Sequence, residues 1–580
     1  METPALFGYH GCYLRIDASD GRVDRIPIPE TVLRQFVGGS GLGAWLLLEE
    51  GDPAADALAP AAPLVFAFSP LVGSPLTTSA KFAVVSKSPL TNRINDSLAS
   101  SGFAIAGKRC GCDAIVILGR AAGPSVMIID DGCVSLETAE ALRGASCPIT
   151  EETLKGRLGA DYQIASIGPA GEHAVRYATI SHGGRHAGRG GSGAVLGSKN
   201  VKAIAVRGTQ RCEWAHPREL TAYSRGLSKR SFGPATAKYR ELGTAANLLT
   251  FNRLGALPTR NFQSGTFDDA ASISPEEIRT THSRTRASCV ACTIGCEHIY
   301  GLGDERGVRL EYESLFALGS LCGISDPNTV LRASRLCDDL GIDTISAGGT
   351  IAFAMECVQR GWLDEPWLTF GSSDALLRAI ELVGRREGVG DLLAEGSRRA
   401  AETIGHESIA FAPQVKGLEI PGYEPRALQT MALGFAVGAR GADHNRSGAY
   451  EVDFSEKVDR RHATLDAVRH AIETEDKAAL MDSLIICKFL RGVFEDFFAE
   501  SADMLQRVTG WDATADELRH TARRIVGIKR RFNLMAGWTR DEDTLPARFL
   551  DTPLPNDPNA TISRRQLDAL VAEYHRQRGW

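Results

Sequence analysis

The hydrophobic pattern divides the chain into two parts with different expected secondary structure. Short apolar runs bounded by glycine, proline and serine fill the first 210 residues. Such runs are typical of strands, because buried strands are short and end at turn-forming residues. The predicted strands are 64–68, 82–85, 114–118, 126–129, 164–167 and 201–206.

From about residue 211 the apolar positions recur with the spacing of one helix face. Helices are predicted at 328–340, 345–360, 375–386, 391–404 and 515–532, with loops rich in proline and polar residues at 422–428 and 554–560. The pattern therefore predicts a β-rich N-terminal domain followed by a mostly helical remainder. A chain of 580 residues is long enough for two to four domains.

Composition and charge exclude several classes of protein. The 65 basic and 71 acidic residues leave a net charge of -6, so neither nucleic acid nor an anionic membrane is an expected partner. No apolar run approaches the roughly 20 residues that span a bilayer, and the first residues lack the pattern of a secretion signal. The 13 cysteines are then expected to be reduced thiols or metal ligands in a cytoplasmic protein.

Three cysteines lie close together in the segment ASCVACTIGCEH, at Cys289, Cys292 and Cys296. Their C-x2-C-x3-C spacing lets a short stretch of chain wrap around a compact metal centre. Both a structural zinc ion and a cubane iron-sulfur cluster need four ligands, so a fourth must come from elsewhere in the chain, His298 being a further candidate for zinc. The spacing alone leaves a cluster, zinc and a chance grouping open.

A glycine-rich segment fits the G-x-G-x-x-G pattern of dinucleotide-binding proteins at Gly188, Gly190 and Gly193. Only residues 194–200 separate it from the next predicted strand, which is too short for the crossover helix of a parallel βαβ unit. A dinucleotide fold is therefore not expected. Bare backbone amides in such a turn can still approach a phosphate closely, with Arg185 and Arg189 beside them.

Several segments in order along the chain resemble the tungsten-containing aldehyde ferredoxin oxidoreductases. They include VGGSGLGAWLL, IASIGPAGEHAVRYATI, HAGRGGSGAVLGSKNVKAIAVRG, EYESLFALGSLCGI, LCDDLGIDTISAGGTIAFAME and KGLEIPGYEPRALQ. The resemblance implies an α+β fold, in which a β-rich base domain carries two pterins and two mainly α-helical domains close over it. We accordingly expect domains at 1–210, 211–420 and 421–580.

The resemblance also implies the cofactors. In that family tungsten, or sometimes molybdenum, is held by the dithiolene sulfurs of two molybdopterins and needs no protein ligand. A [4Fe-4S] cluster and a magnesium ion bridging the pterin phosphates are expected beside it. Cys487 matches the family's fourth cluster ligand, which completes the set begun by Cys289, Cys292 and Cys296.

The family's pterin-binding residues carry over onto matching positions. Two D-x-x-G-[LI]-[CD] motifs hold the pterins, because carboxylates accept hydrogen bonds from pterin nitrogens. The first supplies Asp338, Gly341, Ile342 and Asp343, and the second Asp482 and Ile486, while the glycine-rich stretch supplies Arg185, His186, Gly188, Arg189, Gly190, Gly191 and Gly193. Lys81 stands where the family usually has an arginine that bridges cluster and pterin, so the charge is kept and the planar fork is lost.

Two residues are expected to take part in the chemistry. In the family a glutamate of an E-Y-E segment and a histidine that follows an R-G segment face the substrate, and here these match Glu313 and His444. Burial of Glu313 should raise its pKa, so that it could move a proton near neutral pH. His444 could donate a hydrogen bond to the substrate or act as the base itself.

The leading hypothesis is therefore oxidation of an aldehyde to a carboxylic acid, with electrons passing through the cluster to ferredoxin or to an iron-sulfur subunit. One alternative is the catalytic subunit of a low-potential reductase complex, like the tungsten subunit of benzoyl-CoA reductase. Another is a non-enzymatic pterin carrier or assembly protein. A homodimer is a further expectation from the family.

Some positions depart from the family pattern. Ala99 replaces an asparagine of the pterin loop, and Ile485 replaces a glycine. Around the pocket histidine, Asp443, Asn445 and Arg446 make the segment polar. Those three residues suggest either a polar or anionic substrate or a structural network, and the sequence does not decide between them.

Overall fold

Two six-stranded sheets form the N-terminal part of the chain in a computed structural model that describes residues 6–580. The first contains β1 (Cys12–Asp17), β2 (Val23–Pro27), β3 (Leu64–Ala67), β4 (Lys81–Lys87), β5 (Ile94–Ser100) and β6 (Ala114–Leu118), in the spatial order β2-β1-β6-β3-β4-β5. The second contains β7 (Ser125–Asp130), β8 (Cys133–Thr138), β9 (Gln163–Ser166), β10 (Ile180–His182), β11 (Arg185–Ala187) and β12 (Val201–Arg207), in the order β11-β10-β9-β12-β7-β8.

The two sheets pack face to face, and the alternation of side chains along each strand explains how. In β3, Leu64 and Phe66 belong to the core between the sheets, which also contains Ile129 and Val206. Successive strand residues point to opposite faces, so Val65 and Ala67 lie on the other side of the first sheet. The N-terminal part is thus a layered structure with an apolar core on both faces of the first sheet.

Helices cover these sheets and build the rest of the chain. Those among the N-terminal strands are α1 (Glu30–Phe36), α2 (Gly39–Glu50), α3 (Gly102–Lys108), α4 (Cys147–Leu158), α5 (Pro169–Glu172) and α6 (Ser192–Ser198). The next are α7 (Pro217–Ser231), α8 (Ala237–Leu242), α9 (Leu248–Arg253), α10 (Pro275–Thr281), α11 (Tyr312–Leu318), α12 (Pro327–Leu340), α13 (Thr344–Gln359), α14 (Ser373–Arg385), α15 (Val389–Leu393) and α16 (Ser397–Ile404).

The C-terminal helices are α17 (Gln429–Val437), α18 (His444–Ser447), α19 (Tyr450–Asp453), α20 (Leu465–Leu484), α21 (Phe497–Thr509), α22 (Ala515–Met535) and α23 (Arg564–Arg578). Two small sheets interrupt the helices, formed by β13 (Arg284–Ala287), β14 (Glu297–Tyr300) and β15 (Val308–Arg309) and by β16 (Gln414–Val415) and β17 (Leu418–Glu419). Within residues 6–580 no helix combines the length and apolar character that crossing a membrane requires.

The predicted α+β class is confirmed, and all six predicted strands are present as β3, β4, β6, β7, β9 and β12. The single helix predicted at 391–404 is wrong, because α15 ends at Leu393 and α16 begins only at Ser397. Gly396 between them has φ +87°, a left-handed conformation that ends one helix before the next begins.

Candidate active site and iron-sulfur site

The three clustered cysteines lie in the loop that joins the antiparallel strands β13 and β14. Cys487 lies just beyond a helix, since α20 ends at Leu484 and Cys487 precedes a short 3-10 turn. Thr78 ties the two segments together. Its backbone N–H donates to Ala291 O at 2.6 Å, and its Oγ1 accepts from Cys487 N at 3.3 Å. The fold therefore brings the distant cysteine beside the triplet.

The four thiols lie close enough to influence one another. Burial, followed by the charges of Cys487 and Cys289, raises the pKa of Cys292 to about 11. Within residues 6–580 no three His, Cys, Asp or Glu side chains converge tightly enough to hold a single metal ion. Four cysteine thiols are the usual ligand set of a [4Fe-4S] cluster.

Arg185 lies against the cysteines, although the sequence assigned it to the pterin and its phosphate. Its Nη2 donates to Cys289 Sγ at 2.9 Å and to Glu297 at 2.8 Å, and Glu311 lies 3.5 Å from Nη1. Burial alone would lower the pKa of Arg185, but the charges of Cys289 and Glu311 raise it. A hydrogen bond to a ligand sulfur is one of the means by which proteins tune cluster potentials.

Lys81 begins β4 and is half-buried beside the same cysteines. Burial would lower the pKa of Lys81, whereas the charges of Cys487, Cys289 and Asp482 raise it above the ordinary value. Its Nζ forms no hydrogen bond or ion pair with any residue of the described range 6–580. Lys81 thus supplies a free cation between the thiols and Asp482, consistent with the bridging position predicted for it.

The glycine-rich segment connects β11 to the short helix α6, and β11 pairs with β10 rather than entering a parallel βαβ unit. A Cβ added at Gly190 would lie 2.1 Å from Asn95 Oδ1, and one at Gly193 would lie 2.3 Å from Thr179 O. By contrast, no heavy atom lies within 4 Å of a Cβ added at Gly188. Gly190 and Gly193 therefore permit close packing, and Gly188 leaves space that a ligand could enter.

The first predicted pterin motif spans the junction of α12 and α13. Asp338 lies 3.1 Å from His186 Nε2, so these two predicted ligands already contact each other. Gly341 ends α12 with φ +73°. Asp343 accepts from the backbone of Ser346 at 3.3 Å and so caps α13, and it also lies 3.3 Å from Arg189 Nε.

The second predicted motif likewise lies where a helix ends, at the end of α20. Asp482 is buried between Arg446 Nη1 at 3.1 Å and Lys488 Nζ at 2.9 Å. Ile485 adopts φ +65° where the family has glycine, a conformation that costs a β-branched residue energy. The side chain of Ile486 is buried in an apolar cluster, so any contact it makes with a pterin would come from its backbone.

Glu313 and His444 lie close together, with Glu313 Oε1 3.6 Å from His444 Nε2. Burial raises the pKa of Glu313 to about 8, opposed by the hydrogen bond that its Oε2 accepts from Gly422 N at 3.1 Å. Burial lowers the pKa of His444 to about 3. Glu313 Oε1 and His444 Nδ1 are buried and have no hydrogen-bond partner in the described part of the chain. Each of these two atoms could therefore form a hydrogen bond with a bound group.

The polar segment after Ala442 has a structural role in large part. Asp443 accepts from the backbone N–H groups of Asn445 at 2.8 Å and Arg446 at 2.9 Å, which caps α18. It also pairs with Arg440 Nε at 3.0 Å. Asn445 Nδ2 lies 2.9 Å from His444 Nε2. These contacts support the structural network over recognition of an anionic substrate.

A buried carboxylate that the sequence analysis missed organises this network. Asp96 lies in the middle of β5, 3.1 Å from Arg446 Nε and 2.8 Å from Lys529 Nζ. Burial would raise the pKa of Asp96, but those two cations lower it to about 2. The strand sequence INDSLAS is polar and contains turn-forming residues, so its hydrophobic pattern gives no strand signal and no local feature of the sequence marks Asp96 as buried.

The residues present fit a large polar cofactor. Lys81 Nζ is a free donor within the described residues, and the backbone at Gly188 has open space beside it. Arg189, the next residue, is close enough to Glu313 and His444 to affect the pKa of both. Two of the predicted carboxylates, at Asp343 and Asp482, already have protein partners. Their role as pterin ligands stays a prediction.

Comparison with known proteins identifies the family of the chain. A family model described as aldehyde ferredoxin oxidoreductase, N-terminal domain, matches residues 13–208, and one for domains 2 and 3 of the same family matches residues 226–580. A tungsten-containing aldehyde ferredoxin oxidoreductase of Pyrococcus furiosus is 36% identical over 99% of this chain and 97% of its own length.

Two further similarities are more distant. A protein named aliphatic sulfonate oxidoreductase, WOR-like subunit, of Pyrococcus furiosus is 30% identical over 99% of this chain and 95% of its own. A solved structure titled active site complex BamBC of benzoyl coenzyme A reductase superposes with a TM-score of 0.84, covering 99% of this chain and 95% of that one at 22% identity. The last similarity shows a shared fold. On the family models and the identity over its full length, the chain belongs to the aldehyde ferredoxin oxidoreductase family of oxidoreductases.

Proposed function

We propose that this protein oxidises an aldehyde to a carboxylic acid with a bis-molybdopterin tungsten centre, or a molybdenum centre, and passes the electrons through a [4Fe-4S] cluster to ferredoxin. The observation that carries the proposal is the buried pair Glu313 and His444, in which Glu313 Oε1 lies 3.6 Å from His444 Nε2. Glu313 Oε1 and His444 Nδ1 have no hydrogen-bond partner in the described residues, and Arg189 is close enough to affect the pKa of both side chains. The name of the relative from Pyrococcus furiosus supports the reaction and the metal.

The reaction converts an aldehyde and water into an acid, two protons and two electrons, so a group must accept protons beside the substrate. Glu313 is suited to this role because a pKa of about 8 places its two protonation states near the working pH. When bound, the tungsten centre would supply the two-electron acceptor. Lys81, His186, Arg189 and the amides around Gly188 would hold its pterins and phosphates, with a magnesium ion between the phosphates.

His444 is suited to orienting the substrate. With a pKa of about 3 it stays neutral at physiological pH. Asn445 Nδ2 donates to Nε2, which leaves the proton on Nδ1, the atom without a partner in the described residues. His444 Nδ1 can therefore donate a hydrogen bond to the aldehyde oxygen.

The surroundings of His444 favour an uncharged substrate with an apolar or aromatic group. The ring of Tyr423 stacks on His444 with centroids 4.9 Å apart, and Tyr450 lies 5.0 Å from Tyr423. Phe251 packs 5.3 Å from Tyr423 on the same side. The nearby charged residues are already engaged, because Asp443 and Arg446 serve the structural network.

The alternatives lead to different cofactor contents and partners. A catalytic subunit of a low-potential reductase would contain the same cofactors but depend on dedicated iron-sulfur subunits. A pterin carrier or assembly protein would contain pterin without a redox-active metal. The unpaired Glu313 and His444 favour an enzyme over a carrier, since a carrier has no use for a proton acceptor beside its ligand.

The test is metal and pterin analysis of protein purified anaerobically, combined with dye-linked activity on a panel of aldehydes. We expect one tungsten or molybdenum and two pterins per chain, with the highest kcat/KM for apolar or aromatic aldehydes. Absence of both metals would overturn the proposal. Bound metal without activity on any aldehyde would instead favour the reductase alternative.

A further inference from the structure

Four cationic side chains and two exposed apolar side chains surround the cysteine loop on the protein surface. They are Phe232, Lys238, Arg240, Arg284, Arg286 and Val290, and we refer to them as the cluster-side surface. Phe232 is 56% exposed and Val290 46% exposed, which is unusual for side chains of this size in a soluble protein. Val290 lies in the loop between Cys289 and Cys292 itself.

The position of this surface follows from contacts with the cysteine loop. Ser231, the neighbour of Phe232, has its Oγ 2.6 Å from Thr293 Oγ1. Arg240 lies over the ring of Phe232, 4.4 Å from its centroid. Arg284 and Arg286 are two residues apart on β13, so their side chains leave the same face of the strand that leads into the loop.

The cations of the cluster-side surface lack acidic partners. Within residues 6–580, Lys238, Arg240, Arg284 and Arg286 form no ion pair, whereas 48 ion pairs use other charged residues of the described chain. Arg284 instead donates to the backbone oxygen of Glu241 at 2.8 Å.

Two exposed acidic residues also contact this region. Glu311 lies 3.5 Å from Arg185 Nη1, and the backbone oxygen of Glu241 accepts from Arg284. Since the whole protein carries a net charge of -6, this concentration of unpaired cations at one place is a local departure from its overall charge.

Together these observations identify a partner by its chemistry. We propose that the cluster-side surface docks a small acidic iron-sulfur protein through Phe232 and Val290 as apolar contacts and the four cations as charged contacts. Acidic and basic surfaces speed association and orient the partners, while the apolar side chains supply contact area. The inference rests on the proposed function, because only an electron-transfer cluster at the cysteines requires a partner at this place.

Charge reversal at Arg284 and Arg286 tests the proposal directly. The probe is a purified acidic [4Fe-4S] ferredoxin, titrated into the full-length protein by calorimetry at low and at moderate salt. We expect Arg284→Glu/Arg286→Glu to raise the Kd about tenfold or more at low salt, because like charges then face each other. Added salt should weaken binding to the wild type and have less effect on the variant.

A matched control carries the same charge change elsewhere. Arg564 and Arg565 are exposed at the start of α23, which packs against α17 and α20 rather than the cysteine loop. Arg564→Glu/Arg565→Glu should leave the Kd within about twofold of wild type. Phe232→Ser should raise the Kd several-fold at every salt concentration, because it removes apolar contact and no charge.

The outcomes separate this inference from the proposed function. An unchanged Kd in Arg284→Glu/Arg286→Glu, or an equal loss in both double variants, would overturn the docking proposal. Iron content and dye-linked aldehyde oxidation of the same preparations report on the cluster and the chemistry, and both should match wild type. Protein without iron would refute the cluster assignment, whatever the binding result.

Discussion

Burial shifts the pKa values of Glu313 and His444 in opposite directions, and both shifts favour the uncharged form of the side chain. It raises the pKa of the carboxyl to about 8 and lowers the pKa of the imidazole to about 3, so both side chains are predominantly uncharged at pH 7. An uncharged pair 3.6 Å apart avoids an isolated buried charge. Either residue alone could be a satisfied core group, but two neighbouring buried side chains that each have an unpaired atom in the described residues indicate a site.

The raised pKa of Glu313 predicts how activity depends on pH. A proton acceptor must be ionised, and Glu313 is mostly ionised only above about pH 8. The value of kcat/KM for aldehyde oxidation should therefore rise with pH and level off above that value. Glu313→Gln, which keeps the shape of the side chain, should abolish the rise and lower kcat/KM by about 10²–10⁴-fold.

His444→Gln is the matched control for this profile. His444 does not titrate between pH 6 and 9, roughly, given its pKa of about 3. The variant should lose activity but keep the inflection near the pKa of Glu313. An inflection that survives in Glu313→Gln would show that another group accepts the proton.

For single residues, the sequence indicates which side chains are candidate ligands, but it does not predict which other residues contact them. Cys289, Cys292 and Cys296 are recognisable from spacing alone, since the three are close in the chain. Arg185 was assigned to the pterin, yet it donates to the thiol of Cys289, 104 positions away. That contact depends on where β11 lies relative to the β13–β14 loop, and no local pattern encodes it.

The junction of α12 and α13 shows how one motif serves both a helix and a site. Gly341 ends α12 in the left-handed conformation, and a Cβ there would lie 2.9 Å from Gly168 N. Asp343 then begins α13 by accepting hydrogen bonds from its first backbone amides. The motif is therefore constrained by helix capping as well as by any ligand.

Variants of Asp343 should separate the two roles. Asp343→Ala should lower the free energy of unfolding by about 0.5–2 kcal/mol, as the loss of a capping side chain does. Asp343→Asn keeps a capping oxygen but removes the charge that faces Arg189, so it should cost less stability than Asp343→Ala without restoring the wild-type value. If the carboxylate also holds a pterin, pterin content should fall in both variants, measured beside denaturant unfolding of each protein.

Asp326 provides the control, because it caps α12 in the same way with hydrogen bonds from Asn328 N and Thr329 N. Asp326→Ala should cost similar stability and leave pterin content unchanged. Wild-type pterin content in Asp343→Asn would mean that capping is the whole role of that carboxylate.

Helices and strands with a clear apolar face were predictable from the sequence. Those that bury polar side chains, such as β5, were not. The helices at α12, α13, α14 and α22 have such faces or capping residues. The strand β5 was missed because Asp96 and its neighbours look like a surface loop until the cations from α22 and α18 are placed against them. Tertiary contacts decided its conformation.

The cysteine site joins segments that are remote in the chain. Thr78 near the first sheet, Ala291 in the β13–β14 loop and Cys487 after α20 meet through two hydrogen bonds. Asp96 and Lys529 link β5 to α22 in a second place. A cluster bound at the four thiols would therefore connect the sheet region to the helical region.

Removal of the fourth thiol should affect both the spectrum and the stability of the whole protein. Cys487→Ala should abolish the visible absorption of the cluster, reduce bound iron and lower Tm, because metal binding is coupled to folding. Cys322→Ala is the control, since Cys322 is fully buried in the helical core. Its loss should cost stability through a small cavity and leave the absorption intact; an unchanged spectrum in Cys487→Ala would place the ligand elsewhere.

At the scale of the molecule, the sequence predicts the division into a sheet region and a helical region. The order of strands in the two sheets and the packing of one sheet on the other were not predictable. Those depend on pairings such as β1 with β6, which lie about a hundred residues apart in the chain. Hydrophobic patterning specifies which face of a strand is buried but not the partner that buries it.

The hydrogen bond from Arg185 to Cys289 has a consequence for how charge leaves the protein. A guanidinium keeps its proton at every physiological pH, so the electrostatic field it applies at that sulfur is constant. Glu313, by contrast, gains and loses its proton near pH 8. A change in pH would therefore alter the fraction of Glu313 that can accept a proton. It would leave unchanged the effect of Arg185 on the reduction potential of a cluster bound at Cys289.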